Sequence, residues 1–144
     1  MKRIARSAIV EHSADQMFAL VDDIESYPRF LPWCSAARVE ERTPEGVRAT
    51  LTVGLRGLRQ SFTTQNVNRP GEGIDLRLVK GPFRSFAGAW RFKPISEEAC
   101  RIEFSIEYEM AGALSRLLEP AFDHIADTMV DAFTRRAAEL YGRG

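Results

Sequence analysis

Residues 100–110 read CRIEFSIEYEM, and apolar and polar side chains alternate along the whole stretch. Alternation with a period of two places one set of side chains on each face of an extended chain. One apolar face and one wet face are typical of an antiparallel strand that covers a core. The stretch therefore predicts a half-buried strand, and eleven such residues set the length of the sheet at about 36 Å.

Directly after this strand the spacing of apolar side chains becomes helical. They fall on one stripe at Leu114, Leu118, Phe122, Ile125, Met129, Phe133 and Leu140. We predict a long helix from Pro120 to Tyr141, with Pro120 in the first turn, where its missing N–H is not needed. Such a helix measures roughly 33 Å, so it can lie along the full length of the sheet.

Upstream of residue 99 the same alternation recurs in stretches separated by turns that contain Gly or Pro. The predicted strands are residues 3–10, 35–43, 46–56, 59–69, 73–80, 84–94 and 99–110. Between the first two, Ser13-Ala14-Asp15-Gln16 is a capping box that predicts a helix from Ala14 to Asp22. Residues 24–33 contain two prolines and leave room for one further helical turn at most. This order predicts an α+β fold in a single domain over residues 1–144.

The composition narrows the class of protein. The 144 residues are 44% apolar and 28% charged, which is typical of a globular domain and excludes a disordered or fibrous chain. Twenty basic and twenty acidic residues cancel, which argues against DNA binding through a global positive field. We expect no membrane span and no secretory signal. Cys34 and Cys100 lie outside any C-x-x-C motif, so we expect a reducing, cytoplasmic compartment and no metal site.

The predicted sheet is too wide to be covered by its one long helix. A strongly twisted seven-stranded sheet curls, and a helix of about 10–12 Å diameter cannot fill the whole concave face. The remaining volume is filled by bulky side chains or left as a cavity, and the sequence leaves both open. The strand residues predicted to face it are Ala49, Leu51, Val53, Phe62, Leu76, Leu78, Trp90, Phe104 and Ile106.

Apolar side chains also crowd the segment that contains the two prolines. Tyr27, Phe30, Leu31 and Trp33 lie where we expect the rim of the domain. They can cap a cavity, contact a membrane or plug the end of the sheet, and the three alternatives stay open here. Phe83, in the turn Gly81-Pro82-Phe83, is the predicted opposing lip, so that the two segments form a gate through which a ligand enters.

Groups able to catalyse a reaction are scarce. His12 and His124 are the two histidines of the chain, and we expect neither to act as a general base. The chain contains no nucleophile elbow, metalloprotease motif or phosphate-binding glycine loop. Cys34 is expected to be a buried, inert thiol, and Asp22-Asp23 is interpreted as a loop-side pair. We therefore predict no catalytic residue and no enzyme activity.

Five blocks of the sequence carry a family resemblance. They are Met17–Glu25 (MFALVDDIE), Tyr27–Cys34 (YPRFLPWC), Gly81–Phe83 (GPF), Trp90–Phe92 (WRF) and Met129–Ala137 (MVDAFTRRA). With these blocks the chain resembles, over essentially its whole length, the coenzyme Q-binding branch of the START-like (helix-grip) superfamily. That branch includes bacterial ribosome association toxins of the RatA type. The resemblance implies a curved seven-stranded antiparallel sheet wrapped around a long C-terminal helix.

The resemblance also implies a function. It implies a non-catalytic carrier or chaperone that holds a polyisoprenoid quinone such as ubiquinone and supports respiration, with no other cofactor. We expect the head group and first isoprene units inside the cavity, and the remaining tail in the inner membrane or on the outer surface. Tyr108, Thr64 and Tyr27 are the candidate hydrogen-bond donors to the quinone. The predicted ligand-contacting residues are Tyr27, Phe30, Leu31, Trp33, Leu51, Val53, Phe62, Leu76, Leu78, Phe83, Trp90, Phe104, Ile106, Tyr108, Phe122, Ile125, Met129 and Phe133.

Two alternatives come from other classes of protein. A RatA-type toxin would bind the ribosome and block subunit association, and Arg56, Arg59, Arg135 and Arg136 are its candidate basic patch. Zero net charge weakens this alternative. A cyclase or aromatase, as found among relatives of the fold, would need polar side chains in pairs that point into the cavity.

Overall fold

The computed structural model describes residues 1–55 and 57–142, and within them seven strands form one sheet. The strands are β1 (Lys2–Val10), β2 (Cys34–Thr43), β3 (Gly46–Leu55), β4 (Leu58–Arg69), β5 (Gly73–Lys80), β6 (Phe83–Ser96) and β7 (Ala99–Met110). All neighbours pair antiparallel in the spatial order β1-β7-β6-β5-β4-β3-β2. The predicted strands and the α+β class are confirmed.

Strand β7, which contains the stretch 100–110, lies between β1 and β6 and shows the predicted alternation. Ile102, Phe104 and Ile106 are buried on its inner face. On its outer face Glu103 accepts a hydrogen bond from Arg101 and forms an ion pair with Lys93. These two cations hold the pKa of the Glu103 carboxyl below its usual range, the Lys93 contact acting most strongly. The charges on this outer face therefore compensate one another within β7 and between β7 and β6.

Helix α1 (Ala14–Asp22) begins with the predicted capping box. The Ser13 hydroxyl accepts from the Gln16 N–H, and the Gln16 side chain accepts from the Ser13 N–H. A six-residue 3₁₀ helix (Ile24–Arg29) follows, so the prediction of one helical turn at most was wrong. Pro28 is tolerated inside it because its fixed φ suits a helix and only one N–H is lost.

The last third is a short helix α2 (Gly112–Arg116) and a long helix α3 (Glu119–Tyr141) with Pro120 in its first turn, as predicted. Phe122, Ile125 and Phe133 of the predicted stripe are buried, and Leu140 is the exception at 50% exposure. The contacts of the last turn are made instead by Ala137, which is fully buried, and by Tyr141, whose hydroxyl donates to the Gln16 carbonyl. The Leu114 side chain is outside the described part.

Helix α3 approaches the sheet most closely at β1 and β7. Two ion pairs fasten it to the edge strand β1, Lys2 to Asp123 at 3.1 Å and Arg6 to Asp127. The concave face over β3, β4 and β5 is therefore covered by side chains rather than by the helix backbone, and this leaves room for a cavity. None of the helices in the described segments combines the length and the apolar character that crossing a bilayer requires.

Candidate ligand-binding cavity

A partly enclosed cavity of about 80 Å³ lies between the concave face of the sheet and α3. Its wall is predominantly apolar and takes side chains from α1, the 3₁₀ helix, the segment before β2, strands β3 to β7 and α3. The lining residues are Val21, Ile24, Tyr27, Trp33, Ala49, Leu51, Val53, Phe62, Thr64, Asn66, Ile74, Leu76, Phe86, Trp90, Phe104, Ile106, Phe122, Ile125, Ala126, Met129 and Phe133. Both alternatives that the sequence left open are therefore realised in part. Bulky side chains fill most of the volume, and a small cavity is left.

Thirteen of the eighteen predicted ligand-contacting residues line this cavity. The other five, Phe30, Leu31, Leu78, Phe83 and Tyr108, do not. Leu31 and Tyr108 are almost completely buried in the core, and Leu78 packs against its edge. The alternation along the strands predicted the inner face correctly, but it does not distinguish a side chain beside the cavity from one packed solidly behind it.

The predicted gate is not formed in this structure. Phe83 is buried and packs edge-to-face on Phe62 and Phe122, with ring centroids 5.8 and 4.9 Å apart. No aromatic pair among the described residues joins Phe83 to the segment that contains Tyr27 and Trp33. Phe83 therefore belongs to a closed aromatic cluster at one end of the sheet, rather than to an opposing lip.

The segment with the two prolines faces inward. Tyr27 and Trp33 are buried and line the cavity, and Leu31 is 1% exposed. Phe30 packs edge-to-face on Phe133 and carries the Arg136 guanidinium over its ring at 5.2 Å. The segment therefore caps the cavity and plugs the core, and these buried side chains leave little apolar surface for the membrane contact that was the third alternative.

All three predicted donor hydroxyls are already engaged. The Tyr27 hydroxyl donates to the Val21 carbonyl, and burial raises the pKa of this phenol, so it stays protonated. The Tyr108 hydroxyl donates to the Asp123 carboxylate, outside the cavity lining. Thr64 does line the cavity, but its hydroxyl donates to the Asn66 side-chain oxygen at 2.8 Å.

Sequence reasoning did not assign six lining residues to the cavity. They are Val21, Ile24, Asn66, Ile74, Phe86 and Ala126. Val21 and Ile24 were recognisable from the helical spacing that begins at Met17. Asn66 was recognisable from the alternation of Phe62, Thr64 and Asn66 along β4, which places all three on the inner face. The signal was overlooked because an amide on an apolar face is read as an interruption of the pattern.

Among the residues that the structure describes, the lining contains no histidine, cysteine or charged side chain. His124 is exposed, whereas His12 is buried and packs on Tyr141 with ring centroids 5.7 Å apart. Cys34 is buried outside the lining, and burial raises the pKa of its thiol to about 11, which keeps it protonated and unreactive near neutral pH. Within the described ranges no cluster of three or more His, Cys, Asp or Glu side chains could hold a metal ion.

The structure also shows the contacts of the acidic pair Asp22-Asp23 and the positions of the four arginines of the predicted basic patch. Asp22 accepts hydrogen bonds from Arg42 and Asn68, which ties the end of α1 to β2 and β4. The four arginines of the predicted patch do not come together. Arg135 and Arg136 lie on α3, Arg59 lies on β4, and Arg56 falls outside the described residues.

A different group of cations lies on the outer face of β3, β4 and β5. Arg48, Gln65 and Arg77 are in register across the three strands, and the Arg48 guanidinium donates to the Gln65 amide oxygen at 3.1 Å. Beside this row, hydrogen-bonded hydroxyl pairs join β3 to β4. In the described ranges no carboxylate lies within ion-pair distance of Arg48, Arg59, Arg77 or Lys80. The acids of this face are Glu40 and Glu41, at its β2 edge, and Asp75 on β5, which is paired with Arg69 and Arg91.

The curved antiparallel sheet, the long C-terminal helix that it grips and the apolar cavity between them define a helix-grip (START-like) protein. A family model described as polyketide cyclase / dehydrase and lipid transport matches residues 10–134. The chain belongs to this family, in the branch that contains the RatA-type and coenzyme Q-binding proteins.

Comparison with individual proteins supports the same assignment. The chain is 46% identical over 140 residues to the ribosome association toxin RatA of Pseudomonas aeruginosa, covering 96% of this chain and 97% of that protein. It is 29% identical over 149 residues to the mitochondrial coenzyme Q-binding protein COQ10 homolog B of Xenopus laevis, covering 99% of this chain and 61% of that protein. The crystal structure of the Zhui aromatase/cyclase from Streptomyces sp. R1128 superposes with a TM-score of 0.84 over 99% of both chains, at 15% identity, and shows the fold alone.

Proposed function

We propose that the cavity holds the head group of a polyisoprenoid quinone such as ubiquinone, and that the protein acts as a non-catalytic carrier or chaperone that supports respiration. The observation that carries the proposal is the cavity itself, which is apolar, partly enclosed and bordered by two polar side chains, Thr64 and Asn66. An apolar pocket with few polar groups is the usual form of a small-molecule site. The name of the Xenopus relative supplies the ligand class.

The size of the cavity favours a ring over a chain. Its volume of about 80 Å³ corresponds to roughly five to eight water molecules, because one water needs about 10–15 Å³ of the same space. A quinone ring with its short substituents fits such a volume, whereas a long isoprenoid tail does not. The tail would then lie in the inner membrane or along the outer surface, and the proposal is of a cytoplasmic protein that contacts that membrane peripherally in the first case.

The lining also supports binding without chemistry. General acid–base catalysis needs a titratable group within hydrogen-bond reach of the substrate. In the described part of the lining, Tyr27 is the one side chain that can titrate, and its hydroxyl already donates to the Val21 carbonyl. A cyclase or aromatase would need a pair of polar groups free to move protons, and the hydroxyl of Thr64 is bonded to Asn66. We therefore assign the cavity to binding and not to turnover.

The test is mass spectrometry of organic extracts from protein purified from respiring cells. We expect a quinone at near-stoichiometric level in the unchanged protein. Met129→Arg should abolish it, because a guanidinium on a lining side chain either enters the apolar cavity or blocks it. His124→Arg, an exposed position on the same helix, is the control and should retain the quinone. Repeated extracts without quinone would contradict the proposal.

A second function, ribosome binding, is favoured by the outer face of β3, β4 and β5. The cations without described ion pairs there, together with the hydroxyl and amide side chains between them, suit the phosphates and 2′-hydroxyls of RNA. Zero net charge does not oppose this assignment, because the acids of α3 lie on the opposite side of the sheet. The name of the Pseudomonas relative supplies the partner.

Overexpression followed by ribosome sedimentation tests this second function. We expect the unchanged protein to lower the fraction of intact ribosomes. The double variant Arg48→Glu/Arg77→Glu should restore that fraction. Arg116→Glu/Arg135→Glu makes the same change in charge at exposed positions outside this face and should behave as the unchanged protein. An intact-ribosome fraction that the unchanged protein does not alter would remove the idea.

A further inference from the structure

The Asn66 side chain is the least expected member of the cavity lining. It is 6% exposed, and its Oδ1 atom accepts a hydrogen bond from the Thr64 hydroxyl at 2.8 Å. In the part of the chain that the structure describes, no acceptor receives a hydrogen bond from its Nδ2 group. Buried polar residues in folded proteins usually have hydrogen-bond partners, so the free donor of this lining residue points to an acceptor supplied from within the cavity.

The cross-strand neighbours of Asn66 do not occupy this donor. Its partners across the sheet are Val47 on β3 and Leu76 on β5, and neither side chain has an acceptor. Leucine has as many side-chain heavy atoms as asparagine but no polar group, so it would remove the donor at position 66. The Nδ2 group is therefore open to a hydrogen-bond acceptor inside the cavity.

We infer that the Asn66 Nδ2 group donates a hydrogen bond to a carbonyl oxygen on the ring of the bound ligand, and that this contact makes the cavity select a quinone over a hydrocarbon ring of the same shape. The inference rests on the proposed function and deepens it. Tyr27 and Tyr108, the other candidate donors, are engaged with Val21 and Asp123. Of the hydroxyl and amide side chains in the described lining, Asn66 is thus the one whose donor is not engaged with another residue.

A matched pair of probes separates this contact from burial in general. Menadione is a bicyclic quinone without a tail, and methylnaphthalene has the same carbon rings without the two carbonyl oxygens. Titration calorimetry gives the affinity of each probe for the unchanged protein, for Asn66→Leu and for Asn68→Leu. Asn68 is the next inward residue on β4 and lies outside the lining, so its variant is the control for the loss of an amide.

We expect Asn66→Leu to weaken menadione binding about tenfold, which is the loss of one buried hydrogen bond. Methylnaphthalene should bind Asn66→Leu as tightly as the unchanged protein or more tightly, and this also shows that the variant is folded. Asn68→Leu should bind menadione within about twofold of the unchanged protein. Asn66→Val, whose side chain suits a strand, repeats the measurement where leucine is not accommodated.

The outcomes distinguish the inference from the function on which it rests. Equal affinity of menadione for Asn66→Leu and the unchanged protein would overturn the role of Asn66 and leave quinone binding intact. A loss of both probes in Asn66→Leu and in folded Asn66→Val would overturn it too, because the effect would not depend on the carbonyl. Failure of menadione to bind the unchanged protein would overturn the proposed function together with the inference.

Discussion

Tyr27 shows how one residue can line a site and yet serve the fold. Its ring borders the cavity and packs edge-to-face on Phe133 at 5.4 Å, while its hydroxyl donates to the Val21 carbonyl near the end of α1. That carbonyl lies in the last turn of the helix, where carbonyls lack partners within the helix. The hydroxyl therefore fastens the 3₁₀ helix to α1, and the ring alone is presented to a ligand.

We predict that Tyr27→Phe lowers the free energy of unfolding by about 1 kcal/mol, the usual net contribution of one hydrogen bond, and that it leaves menadione affinity within about twofold. Urea unfolding and calorimetry measure the two quantities. A folded Tyr27→Phe protein that no longer binds menadione would mean that the phenol contacts the ligand in place of Asn66.

At the scale of single residues, what the sequence predicts differs most clearly from what the structure shows. The inner-face position of Phe104 or Trp90 follows from the period of two within its own strand. The state of Asn66 does not, because it depends on Val47 and Leu76, which the sheet brings beside it from other strands. Whether a polar group is satisfied is set by such distant neighbours, so the sequence alone cannot predict it.

Among the elements, the start of β3 is tied most tightly to the site. A Cβ atom on Gly46 would lie 2.0 Å from the backbone carbonyl oxygen of Asn66 on β4. The two backbones approach so closely that only glycine fits at position 46. This close approach fixes the position of the Asn66 backbone relative to β3. The sequence indicated a turn at Pro44-Glu45-Gly46, but the reason for the glycine is this contact with β4.

We predict that Gly46→Ala lowers the free energy of unfolding by about 1–3 kcal/mol, because the added methyl group forces the two strands apart. Urea unfolding measures the change. Glu45→Ala, at the exposed neighbouring position, should stay within about 0.5 kcal/mol of the unchanged protein. Equal stability of Gly46→Ala and Glu45→Ala would contradict this prediction, because it would mean that the two strands accommodate a methyl group at position 46.

The strands themselves were predictable because their alternation is local, but their register was not. The pairing shifts between Thr63 and Thr64, and again between Val39 and Glu41. Such bulges insert a residue on one strand and change which side chains are opposite one another. No local sequence pattern predicts these bulges, and the bulge at Thr63 adjoins the two polar residues of the cavity lining.

At the scale of the whole molecule, the size of the cavity results from a balance that no single element decides. Helix α3 packs against β1 and β7, and the side chains of Phe62, Phe122 and Phe133 fill most of the space that the helix leaves open under the sheet. The sequence left the choice between filling and cavity open, because the remaining volume is a small difference between the space under the sheet and the side chains that occupy it.

This balance can be shifted with one substitution. Ala126 lies on α3, is 1% exposed and lines the cavity. In Ala126→Leu three further carbon atoms enter apolar space, at a gain of about 0.8 kcal/mol per buried group, offset in part by crowding. We predict an unfolding free energy equal to or up to about 2 kcal/mol above that of the unchanged protein. The affinity for menadione should fall by at least about tenfold, because the ligand and the new side chain compete for one volume.

Ala132→Leu is the matched control, since Ala132 is half-buried on the same helix, packs against the core and is absent from the lining. Its variant should bind menadione as the unchanged protein does. A gain in stability combined with a loss of ligand is the expected sign of a site that is kept empty at the expense of packing. A stable Ala126→Leu protein that still binds menadione at full affinity would place the ligand outside this cavity, and the outer surface of the sheet would then be the place to look for it.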